Sequence, residues 1–286
     1  MKKMFFMCCL CLLGFNPAHD NSEDKGYMSD YARVRTLELL EKKALAAQPP
    51  CPDYCTKDFL LGKINYRTDT SLFVKVDKAY TWNHVFLGKE TYKAFIEMHD
   101  AALKDGVRLV PISGCRTFND QQCIWENKWK SDEYMAIPEE KERALSILKY
   151  VAMPGTSRHH WGTEIDFNSA KLAYYEAGQG KRMYEWLQNN AHKYGFYQPY
   201  TPLNDDRPKG YQEEKWHWSY LPLSGIFVRE FARQIAPEDL CEFEGSRTAR
   251  PLEIIKYWVL GIHGSCLPWD NLQAAREEQD DRMPGQ

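Results

Sequence analysis

The sequence predicts an α+β domain: a small central antiparallel sheet flanked by helices, with a helical C-terminal extension. Short runs rich in β-branched and aromatic residues, such as 71–76, 107–113, 164–167 and 216–220, read as strands. Longer stretches at 89–106 and 181–196 carry apolar residues at helical spacing. The two kinds of segment alternate irregularly, without the regular strand–helix repeat of a βαβ array.

The chain begins with Lys2 and Lys3 ahead of an apolar run at 4–15, too short to span a bilayer as a mature helix. Residues 1–18 are therefore expected to be a secretory signal peptide, which places the protein outside the cytoplasm, in the periplasm or cell envelope. Asn16-Pro17-Ala18 lacks small residues at both cleavage positions, so the cut is not located. Residues 19–58 read as a leader, helical over 31–47 and closed by Pro49, Pro50 and Pro52.

The core domain is expected over 59–222. "FLLGKINY" and "SLFVKV" read as β-rich pieces. In the following helix Tyr92, Phe95, Ile96, His99 and Leu103 share one face, with Met98 at its edge, and Gly106 ends it. "VRLVPIS" reads as a strand, and a helix follows from about Asn119 through Trp129. In "KRMYEWLQNNAHKYGF" the inward residues are Met183, Trp186, Leu187 and Ala191, with Gly195 as the stop. "GIFVREFARQI" and "PLEIIKYWVLGI" predict a helical extension over 223–270, and 271–286 a charged, disordered tail.

With 37 basic against 40 acidic residues and a net charge of -3, the chain carries no electrostatic footprint for nucleic acid. No protein partner is indicated either. Outside the apolar run stand Cys51, Cys55, Cys115, Cys123, Cys241 and Cys266. An even number suits disulfides in an oxidising compartment, and the close spacings favour pairing 51/55, 115/123 and 241/266 among the several schemes allowed. The six are scattered and lack the spacing of a zinc knuckle.

The chemistry concentrates in three segments. In Ser157-Arg158-His159-His160-Trp161-Gly162-Thr163-Glu164-Ile165-Asp166, His159 and Asp166 flank a glycine turn, and both are good zinc ligands. Ile165 and Phe167 alternate with Asp166 as a strand requires, which lets the carboxylate project from one face. In Glu214-Lys215-Trp216-His217, a third ligand and a base stand three residues apart. On an ideal strand such residues face opposite sides, so the two share a site only if a turn or bulge precedes the strand. The third segment is Ser113-Gly114-Cys115-Arg116-Thr117-Phe118-Asn119-Asp120-Gln121.

These segments resemble, in order and spacing, the SxHxxG…D, ExWH and SGYRS…Q motifs of the zinc D-alanyl-D-alanine carboxypeptidases, the VanY-like group of LAS-type metallopeptidases. The resemblance runs from about Leu87 to Tyr220. It implies a Zn2+ site on the sheet held by His159, Asp166 and His217, with Glu214 as general base. It also implies that Arg116 stabilises an oxyanion or holds a substrate carboxylate, and that Gln121 and Ser157 help bind substrate. The implied partner is a peptidoglycan stem peptide that loses its terminal D-alanine. An L,D-carboxypeptidase, a cell-wall endopeptidase and an inactive zinc-containing binding protein are alternatives on the same scaffold. Three departures stand out: Cys115 replaces the family's usual tyrosine, Glu164 a small residue, and Ser219 an arginine.

Overall fold

A four-stranded antiparallel sheet, with Pro111–Ser113, Glu164–Phe167, His217–Tyr220 and Phe196–Tyr197 side by side in that order, organises the described chain. The computed structural model describes residues 49–205 and 207–267. The expected signal peptide, the helix over 31–47 and the tail over 271–286 lie outside the described residues.

Helix α1 (Lys57–Leu60) starts at Thr56, whose hydroxyl accepts from the Phe59 amide at 3.2 Å. Strands β1 (Phe73–Lys75) and β2 (Phe86–Gly88) pair as a separate antiparallel ribbon that leads into α2 (Lys89–Lys104). After β3 (Pro111–Ser113), Thr117 and Asp120 form a reciprocal capping box that starts α3 (Phe118–Trp129). Helices α4 (Asp132–Met135) and α5 (Glu140–Ile147) precede β4 (Glu164–Phe167). Helix α6 (Gly178–Asn190), β5 (Phe196–Tyr197), β6 (His217–Tyr220) and α7 (Leu221–Gln234) follow.

Two apolar clusters form the core, one of them against a face of the sheet. Ile165 and Phe167 of β4 and Trp218 of β6 pack with Phe95 and Met98 of α2 and Met183 and Leu187 of α6. By the two-residue period of strands, Glu164, Asp166, His217 and Ser219 take the opposite face. The second cluster joins Phe59, Phe118, Trp125 and Trp161 to Phe227 and Phe231 of α7 and to Ile254 and Val259. Residues after 222 are thus built into the same core as α1 and α3.

Several expected elements differ. Residues 59–66 are the end of α1 and turns, not a strand, because Phe59 and Leu60 are buried from one short helical turn. The strand expected over 107–113 is confined to Pro111–Ser113. On α2 the buried residues are Thr91, Phe95, Met98, His99 and Ala102; Phe95 and His99 are inward as expected, whereas Leu103 is 53% exposed, so the stripe keeps the same spacing but is displaced toward Met98. The stretch 251–262 is turns and a single π-turn, Ile255–Val259, rather than an α-helix.

Of the expected disulfides, Cys51–Cys55 is formed. Cys115, Cys123, Cys241 and Cys266 are free thiols. Closeness in sequence fails here because the side chains point to different places: Cys115 and Cys266 are in the core, and Cys123 and Cys241 face solvent. Cys115 is therefore not tied to Cys123. Its amide is tied instead to the Phe86 carbonyl at 2.8 Å.

Candidate metal centre and active site

The pairing of β4 with β6 sets Asp166 directly across from His217 and Glu164 across from Ser219. His159 arrives from the other direction, on a 3-10 turn, Arg158–Trp161, that ends at Gly162. Gly162 has φ +72°, and a Cβ there would meet the Phe73 ring at 2.8 Å and the Gly88 amide nitrogen at 2.9 Å, so only glycine lets the chain reverse into β4. The ligand atoms offered by His159, Asp166 and His217 lie within 4.8 Å of one another, and all three residues are buried.

Both imidazoles are oriented by the nitrogen that faces away from this centre. His159 donates from Nδ1 to the Gly114 carbonyl at 2.7 Å, which leaves Nε2 facing the Asp166 carboxylate at 3.4 Å. His217 donates from Nε2 to Glu164 at 2.8 Å and turns Nδ1 to Asp166 at 3.0 Å. Two ring nitrogens and a carboxylate therefore converge on one point, a donor set and geometry that suit zinc. A cation, or a proton in its place, is what these facing acceptors require. Burial works against charge on His217, but its contacts with Asp166 and Glu164 raise it to about 9. Burial would likewise raise Asp166, yet His159 and His217 hold it well below the ordinary carboxylate value.

Glu214 precedes β6 by a turn: the His217 amide donates to the Glu214 carbonyl at 3.2 Å. That turn satisfies the condition set by the strand period and leaves the Glu214 carboxyl 3.7 Å from His217 Nδ1. Burial pushes this carboxyl up to about 8, partly offset by His217. Arg116 reaches the same centre, donating to Asp166 at 3.3 Å, Ser113 at 3.2 Å and Gln121 at 3.1 Å. Its backbone is fixed as well: its amide donates to the His159 carbonyl at 3.1 Å, and its own carbonyl accepts from His160 Nδ1 at 2.8 Å.

These groups open into a cleft of about 650 Å³ whose walls include Ser113, Ser157, Tyr200, Tyr211 and Trp216. The cleft brings His159, Asp166, His217, Glu214, Arg116 and Ser157 together. Gln121 is not on its surface. It is fully buried behind Arg116 and donates to the Ala152 carbonyl at 2.8 Å, so it orients the guanidinium rather than reaching the cleft. His160 is wholly interior, with Nε2 accepting from the Gly155 amide at 3.2 Å. Tyr200 and Tyr211 stand in irregular segments without periodicity, and nothing in their sequence neighbourhood marks them. Glu164 was visible only as a departure from a motif.

Together the α+β fold and the buried His–Asp–His cluster with a carboxyl beside it form a candidate site for one metal ion, with a donor set of the kind that metal-dependent hydrolases use. Residues 84–223 match the family described as VanY, D-alanyl-D-alanine carboxypeptidase, and this segment is a domain of that family. It is 31% identical over 148 residues to a D-alanyl-D-alanine carboxypeptidase of Enterococcus faecalis, covering 51% of this chain and 50% of the relative. A putative carboxypeptidase, YodJ, of Bacillus subtilis is 29% identical over 212 residues, 70% of each chain. This chain thus spans about half the length of the E. faecalis relative. Among solved structures, VanYB in complex with D-alanine-D-alanine is similar with a TM-score of 0.42 and 27% identity, covering 63% of this chain and 87% of that one.

Proposed function

We propose that the protein is a zinc-dependent D,D-carboxypeptidase that removes the terminal D-alanine from peptidoglycan stem peptides outside the cytoplasmic membrane. The observation that carries this reading is the convergence of His159, Asp166 and His217 with the buried Glu214 carboxyl on the floor of one cleft. When bound, zinc supplies Lewis-acid polarisation of the scissile carbonyl and acidifies a water. His159, Asp166 and His217 hold it. Glu214 is not one of the three converging ligands, and its carboxyl takes the proton from the attacking water and returns it to the leaving amine. Arg116, held rigid by Gln121 and Ser113, presents its remaining donors to the free carboxylate of the terminal residue. Tyr200, Tyr211 and Trp216 shield the reacting bond from bulk water. The Cys51–Cys55 disulfide, together with the basic and apolar N-terminus, supports an exported location.

The test is to incubate the protein with muramyl pentapeptide and tetrapeptide, with and without a chelator and beside Glu214→Ala, and to identify the products by mass. Loss of one alanine from pentapeptide, dependent on metal and on Glu214, is the expected result. Cleavage of tetrapeptide alone makes the enzyme an L,D-carboxypeptidase. Inertness toward both, in protein that contains zinc, overturns the carboxypeptidase reading.

A further inference from the structure

We propose that Glu164 is a positioning residue for the metal ligand His217, and that with Arg158 it forms a buried carboxylate–guanidinium pair that keeps Nδ1 of that ring turned toward the metal. The inference rests on the metal-centre reading above. Glu164 is fully buried, and each carboxylate oxygen is committed: Oε2 accepts from His217 Nε2 at 2.8 Å, and Oε1 accepts from Ser219 at 2.8 Å and Thr163 at 2.9 Å. Arg158 Nη2 lies 3.4 Å from Oε1 and donates to Ser219 at 2.7 Å.

Packing alone does not call for this arrangement. A buried ion pair is commonly no more stabilising than apolar side chains of the same volume. Here it is also imperfect, since Arg158 Nε and Nη1 are buried without a hydrogen-bond partner and the guanidinium rests over the Trp161 ring at 5.0 Å. What the pair does achieve is chemical. An ionised carboxylate only accepts, so Glu164 fixes the hydrogen of His217 on Nε2 and leaves the Nδ1 lone pair for the ion. Arg158 supplies the positive charge that balances Glu164, so the carboxylate does not add a net charge behind the ligand. Glu164 and Ser219 are adjacent partners across β4 and β6, which explains why the two positions depart from the motif together.

The test is zinc affinity, measured by competition with a chromophoric chelator on the full chain, combined with nitrogen-15 NMR of the His217 tautomer. Glu164→Ala orphans Arg158 and risks the fold, so the double variant Glu164→Ala/Arg158→Met, which removes both charges, is measured beside it. The expected result is zinc binding about 10–100-fold weaker in the double variant, with thermal unfolding of the metal-free form near the parent's. Glu164→Gln, whose carbonyl still accepts from Nε2, recovers most of the loss. In the zinc-loaded parent, His217 carries its hydrogen on Nε2. Double-variant affinity within twofold of the parent, or a parent His217 with its hydrogen on Nδ1, overturns the proposal. A parent that binds zinc but cleaves no stem peptide overturns the function proposed above and leaves this inference standing. A parent that takes up no zinc overturns both.

Discussion

Glu214 and Arg116 share the centre but do different work, and their variants separate accordingly. Glu214→Gln preserves shape and removes the base of the proposed mechanism, so kcat should fall by about 10²–10⁴-fold while zinc content by elemental analysis stays at one per chain. Arg116→Lys keeps charge but loses the planar fork held by Gln121 and Ser113. Its main effect should be a KM for pentapeptide raised by on the order of tenfold, and a substrate with an amidated terminus should erase the difference between the two proteins. His160 gives a pH prediction for the metal-free protein. Burial lowers it from 6.5 to about 4, so the unfolded chain takes up the proton first and this residue's own contribution to stability falls as pH drops through that window. The loss from this residue should approach about 3 kcal/mol by pH 4; the raised Glu214 carboxyl works in the opposite direction over the same range, so the readout is a difference, and in urea unfolding at pH 7 and pH 5 His160→Gln should gain stability at pH 5 relative to the parent. Glu164, which burial would raise but Arg158 and His217 hold at about 2, contributes stability above its unfolded value of 4.5 that is lost only below it. It therefore does not account for a slope between pH 5 and 7.

At the scale of elements, the site depends on how loops enter helices and strands. Gly62 has φ +73°, and a Cβ there would lie 2.3 Å from the His160 ring. Its carbonyl accepts from the Phe118 amide at 2.6 Å, at the start of α3. Gly62→Ala should therefore cost on the order of 2–4 kcal/mol in urea unfolding and loosen Arg116 through His160. Legibility in the sequence divides along the same line. His159, Asp166, Glu214 and His217 were readable because each pair sits in a short segment whose turn or strand geometry is local, and α6 was readable because Met183, Trp186, Leu187 and Ala191 repeat cleanly. Residues 59–66 misled because a run such as Phe59-Leu60-Leu61 suits a buried helical turn as well as a strand. The tie between Glu164, Ser219 and Arg158, and the position of Gln121 behind Arg116, arise from contacts between distant segments that no local period records.

At the scale of the molecule, the part after 222 is structural. Phe227, Phe231 and Ile254 pack with Phe59, Phe118 and Trp161, so a chain cut after residue 222 should be insoluble or unfolded by circular dichroism rather than a smaller active domain. The thiols give a second check on the tertiary arrangement. Alkylation of the native protein followed by peptide mass mapping should label Cys123 and Cys241 rapidly, and Cys115 and Cys266 only after unfolding, as their burial dictates.

The pairing of Asp166 with His217 has one more consequence. Two of the three donors sit on neighbouring central strands, in the register that the apolar face already enforces. An ion held there acts as a rivet through the middle of the sheet. Occupancy at a hundred times the dissociation constant adds about 2.7 kcal/mol to the folded state. That gain should appear as slowed amide exchange first at Ile165 and Trp218, whose own side chains never touch the ion.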